Sequence, residues 1–410
     1  MDAYYVLIVL ICLSAAFAYI NHKFIKLPFV IGLFFLSTIL SLIILGTKFW
    51  TTEPSSNLKL FVEQSNISKF ILNIMLGFLL FAGSLHTNWL DLKKQLLQIT
   101  VLALGGVILS TVIIAGMFYQ LSVAFNLNID FVYCLLFGAL ISPTDPIAVI
   151  GILTKAKVPK KLEHIIVGES LFNDGIGVVM FIALLEALQA GGTAISFPHV
   201  GMLFIREAVG GVIWGLILGF VLHHVLKSID HYETEILLTL AFVMAGYESA
   251  IAVHVSGPLA MVIMGLLVGS YNTSLTHSDI SQEHVNRFWQ VVDVILNAIL
   301  FILIALVMFV INFKAAYVFI GLISILVVLL SRVFVVYLSK IFLPEKHSFN
   351  RKEANLLIWG GLRGGLSIAM VLSLPNSEAR DLLLIATYFC VLFSILIQGL
   401  SISRLARSIV

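Results

Sequence analysis

Charge is what this chain has least of. Only 11% of its 410 residues are Asp, Glu, Lys or Arg, against roughly 25% in soluble domains, while 60% are hydrophobic and the mean hydropathy is +1.07. That composition excludes a soluble globular protein and reads as an all-α polytopic membrane protein. The net charge of +2 excludes a general affinity for nucleic acid. Cysteine is nearly absent: Cys12, Cys134 and Cys390 each sit inside an apolar run, which excludes a disulfide or zinc framework. No polar stretch is long enough for a soluble regulatory domain, so residues 1–410 are expected to form a single transmembrane domain. There is no HExxH signature and no Gly-x-Ser-x-Gly elbow, so an enzyme is not expected, nor is any cofactor. The opening "MDAYYVLIVL" lacks a basic leader and reads as a first membrane helix, not a cleaved signal peptide.

Apolar runs long enough to cross a bilayer fall near 3–20, 27–45, 69–85, 96–120, 131–152, 161–188, 202–226, 236–254, 257–271, 286–311, 316–343, 354–374 and 381–403. The expectation is thirteen membrane helices. Basic residues favour one face: Lys93, Lys94, Lys155, Lys157, Lys160, Lys161, Arg404 and Arg407 fall on one side, and few, such as Lys48, Lys59 and Lys69, on the other. By the positive-inside rule the N-terminus is outside and the C-terminus cytoplasmic.

Two spans are poor continuous helices. "GALISPTDPIAVIG" puts Pro143 and Pro146 in the middle of the fifth, and "WGGLRGGLS" surrounds Arg363 with four glycines in the twelfth. If spans 1–6 (roughly 3–188) and 8–13 (roughly 236–403) are repeats joined by a linker helix near 202–226, both breaks occupy the fifth place of inverted halves. Such matched interruptions mark the binding site of a transporter at mid-membrane.

The sixth span carries "GESLFNDG", with two carboxylates, a carboxamide and a hydroxyl in a segment that hydrocarbon would penalise. At 3.6 residues per turn, Glu169, Ser170, Asn173 and Asp174 fan over one side of a helix and can face the bundle interior. Only Arg332 and Arg363 are basic residues within the spans, and an arginine stays charged. Each therefore needs a permanent acceptor, for which Glu169 and Asp145 are the candidates. If Arg332 takes Glu169, Asp174 is left free. Desolvation disfavours the charged form of a lone carboxylate, so one proton and one cation can compete for its oxygens. Unwinding at "SPTDP" would add carbonyls and the Thr144 hydroxyl as oxygen ligands. Asp145 would offset the dipole at the amino ends of half-helices, and Arg363 at carboxyl ends.

These residues resemble the monovalent cation/proton antiporters, the NhaP-type and NHE-type sodium/proton exchangers. "SPTDPIAV" looks like their unwound fifth helix, "GESLFNDG" like the sixth, "FWQVVDVILNAILF" like the tenth, "SRVFVVYL" like the eleventh and "WGGLRGGLS" like the twelfth. The resemblance implies a thirteen-helix antiporter fold and a homodimer in the cell's inner or plasma membrane. It implies Asp174 as the carboxylate that binds Na+ or H+, Asn173 as its partner, Ser170 and Thr144 as further ligands of the transported ion, Asp145 as a supporting acid, and Glu169–Arg332 as a structural ion pair. Asn173 stands where electrogenic relatives have a second aspartate, which points to electroneutral exchange. Ala82, in "LLFAGSLH", stands where many members have a glutamate.

Exchange of Na+, or Li+, for H+ by alternating access is the function expected. A K+/H+ exchanger of the same fold is the near alternative and a cation channel the more distant one. Among the remaining polar residues, Asp293 and Asn297 share a face one turn apart and are expected to hydrogen-bond across the core instead of ligating an ion. His86 reads as a solvated histidine near a helix end.

Overall fold

The computed structural model describes residues 3–46, 70–127, 129–189, 197–272, 279–309, 311 and 314–407. Lys48, Lys59 and Lys69 lie outside the described residues. Within them the regular structure is helical: α1 Ala3–Ile20, α2 Phe29–Gly46, α3 Ile71–Leu85, α4 Leu96–Ala124, α5 Phe131–Ile141, α6 Ile147–Lys155, α7 Lys160–Gln189, α8 Phe197–Lys227, α9 Tyr232–Ala252, α10 Gly257–Asn272, α11 Asp279–Leu306, α12 Ala315–Phe342, α13 Arg351–Gly360, α14 Gly365–Leu372 and α15 Glu378–Arg407. Every expected span holds at least one helix. Eight helices among the described residues are long and apolar enough to cross a membrane, or nine if the bent pair α13–α14 is one span. The helices α2, α3, α5 and α10 are apolar but shorter.

The fifth expected span is two helices. A helix cannot run through "SPTDP", because neither proline donates an amide and each disfavours the α conformation in the residue before it. Hence α5 stops at Ile141, and α6 starts at Ile147, directly after Pro146, where a missing N–H costs nothing. The twelfth span is also two helices. Asn350 and Glu353 close a reciprocal capping box at the start of α13, with both bonds at 2.8 Å. The chain leaves the helix at Gly361 and resumes at Gly365, bent by 43°.

The two breaks meet. The Asp145 N–H donates to the Leu362 carbonyl at 2.8 Å, so each extended segment supplies backbone hydrogen bonding that the other lost. Around them α5 packs on α4, α7 and α14, and α12 on α15. To one side α10 lies tightly between α8 and α3. A Cβ on Gly215 would come 2.5 Å from the Ala260 carbonyl, so only glycine lets α8 and α10 approach this closely. The outward face of α8 exposes Met202, Ile205, Val209, Ile213 and Phe220, a surface suited to lipid.

Candidate ion-binding site

The polar side chains of α7 divide into two rows. Ser170 and Asp174 line a cavity of about 550 Å3, whereas Glu169 and Asn173 do not. Glu169 and Asn173 are nearly inaccessible, at 2% and 1% exposure, while Asp174 keeps part of its surface on the cavity. Each row has its own partners.

Glu169 faces Arg332. The guanidinium is bidentate: one terminal nitrogen donates to Oε1 and the other to Oε2 at 2.9 Å. It also donates to the Leu357 carbonyl, from Nε at 3.2 Å and from the second terminal nitrogen at 3.0 Å. Leu357 is in the last turn of α13, whose carbonyls lack intrahelical partners. Arg332 thus neutralises Glu169 and caps the carboxyl end of a broken helix. Gly361 makes room for it, since a Cβ there would lie 2.8 Å from Arg332 Nε.

Asn173 spends its amide on Thr144. Its Oδ1 accepts from the Thr144 N–H at 3.2 Å, and its Nδ2 donates to Thr144 Oγ1 at 2.8 Å. Ser170 Oγ donates to the Thr144 carbonyl. Every polar atom of Thr144 is therefore held by α7. A hydroxyl has two acceptor lone pairs, so Ser170 Oγ, with its proton committed, keeps both, and Thr144 Oγ1 keeps one. Both residues line the cavity beside Asp174.

Charge at the crossing follows the helix ends. Arg363 donates to the carbonyls of Ser142 and of Pro143, the latter at 3.0 Å, where α5 has stopped. Its own N–H donates to Ser394 Oγ at 2.8 Å. Asp145 stands just before α6, and Gly364, just before α14, would collide with the Asp145 carboxylate if it carried a Cβ. One carboxylate therefore serves the amino ends of two half-helices while arginines serve the carboxyl ends of α5 and α13, the pairing that helix dipoles favour. Asp145 also lines the cavity, close enough to act electrostatically on Asp174 and on Asp293 of α11.

Among the described residues no group of three or more His, Cys, Asp or Glu side chains is placed to hold a metal ion. What the cavity offers instead is the Asp174 carboxylate with hydroxyl oxygens at its side, a donor set suited to a hard monovalent cation in transit.

The family model described as the transmembrane sodium/hydrogen exchanger matches residues 12–408. The chain belongs to the sodium/hydrogen exchanger family. It is 41% identical to the Na+/H+ antiporter NhaP of Pseudomonas aeruginosa over 404 residues, covering 97% of this chain and 95% of that protein. It is 32% identical to the Na+/H+ antiporter NhaH of Halobacillus dabanensis over 379 residues, covering 90% and 91%. Its fold is similar to the structure of the sodium proton antiporter MjNhaP1 from Methanocaldococcus jannaschii at pH 8, with a TM-score of 0.76 at 22% identity, covering 98% of this chain and 97% of that one. The protein is accordingly an integral membrane transporter and not an enzyme.

Within this exchanger the expected site residues converge. Thr144, Asp145, Ser170 and Asp174 share one cavity, with Asn173 directly behind Thr144, Glu169 and Arg332 paired, and Arg363 on the adjoining carbonyls. Ala82 is wholly buried on α3 and offers no side-chain oxygen. His86, exposed at the end of α3, also lines the cavity. One expectation is corrected. Asn297 bonds within its own helix and not across the core, donating to the Asp293 carbonyl at 2.9 Å and to its carboxylate at 3.0 Å, and both residues line the cavity. Sequence reasoning also missed the Leu357 carbonyl as a second acceptor for Arg332, because a backbone acceptor leaves no mark in residue identity.

Proposed function

We propose that this exchanger moves one Na+ against one H+ across the membrane, with both ions competing for Asp174. The observation that carries the reading is the division of labour on α7. Glu169 is neutralised by Arg332 away from the cavity, while Asp174 opens onto it beside the free lone pairs of Ser170 and Thr144. Asn173 positions Thr144, Asp145 supports the site from the helix amino ends, and Arg363 holds the opposing carbonyls.

Exchange is electroneutral on this reading, because Asn173 is not a second acid and Arg332 has no proton to release at cellular pH. Li+ would use the same oxygens. The relatives named Na+/H+ antiporters support sodium as the transported cation. The protein would cross the membrane thirteen times as a single domain, with repeats at roughly 3–188 and 236–403 joined by α8, N-terminus outside and C-terminus cytoplasmic. It would work as a homodimer by alternating access, in the cell's inner or plasma membrane.

The test is proton flux in proteoliposomes with an imposed pH gradient. Added Na+ should change lumenal pH equally with and without a valinomycin clamp in potassium-balanced buffer. Asp174→Asn should fold, by size-exclusion profile and melting temperature, and show no Na+-dependent flux; flux like that of the parent protein would refute the site.

A further inference from the structure

Besides Asp145, Glu163 and Asp174, one more carboxylate lines the same cavity. Asp293 projects from α11, facing the chamber that Asp174 faces from α7. It also lines a second cavity of about 550 Å3, bounded by the exposed side chains of Glu283, Arg287 and Gln290 near the start of α11. Asp293 and His86 are common to both cavities, so they mark the passage from a polar vestibule into the chamber of Asp174.

Acidity alone would not make this a site. The independent observation is Asn297, one turn further along α11, which is 1% exposed and lines the chamber. Its amide nitrogen faces two acceptors, the carbonyl and the carboxylate of Asp293. Only a donor can sit there, which assigns the nitrogen to that position and leaves the amide oxygen as the remaining polar atom of the same group. That oxygen is buried with no hydrogen-bond partner among the described residues. An amide oxygen left so is costly unless something else satisfies it.

We propose that Asp293 and the Asn297 amide oxygen form a loading station for the transported cation, between the vestibule and Asp174, which sets the apparent affinity for Na+. The proposal rests on the reading that Asp174 is the exchange carboxylate. An arriving Na+ exchanges part of its hydration shell for the Asp293 carboxylate and the Asn297 oxygen, then passes to Asp174, Ser170 and Thr144. Asp145, which acts on both aspartates, adds negative potential along that step. Arg287 adds no free positive charge at the vestibule, because it is paired with Glu283 at 2.6 Å.

The experiment is a Na+ titration of proton flux in proteoliposomes for the parent protein, Asp293→Asn, Asp293→Glu and Asp174→Asn. Asp293→Asn removes the charge but keeps an acceptor for Asn297. It should raise the Na+ KM about tenfold, the order one nearby carboxylate contributes in a partly hydrated cavity, with the maximal rate falling less than threefold. Asp293→Glu should hold KM within threefold of the parent value. A residue with a merely structural role would lower the rate or the melting temperature and leave KM in place. An Asp293→Asn KM equal to that of the parent, with Asp174→Asn inactive, overturns the loading station and leaves the exchange site standing. An active Asp174→Asn instead overturns the site on which the proposal rests. Should Asp293→Asn fail to accumulate, Asn297→Ala decides: a KM raised threefold or more supports the station, and an unmoved KM overturns it.

Discussion

Glu169 and Asp174 are the same kind of residue a turn and a half apart on one helix, and their surroundings give them opposite tasks. Glu169 is closed off by a bidentate guanidinium, at 2% exposure. Asp174 meets a cavity. Removing Arg332 would strand a buried carboxylate, which costs roughly 3–5 kcal/mol. Arg332→Ala should therefore accumulate poorly and melt well below the parent protein. Replacing both partners by leucine should restore part of that loss, since no charge is left stranded. Recovery stays incomplete because the Leu357 carbonyl has still lost its donor, at about 1–3 kcal/mol. A melting temperature for Arg332→Ala equal to that of the parent would contradict the pair. That an arginine inside an apolar span must have an acceptor was legible in the sequence, and the resemblance pointed to Glu169; that Arg332 also caps α13 was not legible.

The elements that matter most are the ones that fail to be continuous. Pro143 and Pro146 announce the first break through missing amide donors, and the glycines around Arg363 announce the second. What neither stretch reveals by itself is that they bond to each other, Asp145 to Leu362, because that contact joins distant parts of the chain and depends on how the helices pack. Gly361 shows how little room the crossing leaves. Its missing Cβ is occupied by the approach of Arg332 Nε at 2.8 Å and of Thr144 Cγ2 at 3.3 Å. Gly361→Ala should destabilise the protein by about 1–3 kcal/mol, read as a lower melting temperature, and should slow exchange by moving Thr144. Gly151, with open space around the Cβ position, provides the control: Gly151→Ala should leave the melting temperature near that of the parent.

For the whole molecule, the half-helix ends, the ion pair and the cavity combine into one arrangement. Two breaks are held together by charges matched to helix polarity, and the Asp174 carboxylate, beside the break, remains open to the cavity. Composition made the membrane class plain, and the order of the polar motifs made the family plain. The passage past Asp293 stayed hidden, since two polar residues one turn apart on an apolar helix fit an ordinary hydrogen bond as well as a pore wall. The central claim is competition between Na+ and H+ at one carboxylate, and the direct measurement is the Na+ KM of exchange as a function of pH. Below the pKa of Asp174 the KM should rise towards about tenfold for each pH unit lowered, because the proton-bound fraction grows in that proportion, while the maximal rate at saturating Na+ holds. A KM that stays flat as pH falls, with the rate alone declining, would show that proton and cation occupy different groups and would contradict the account.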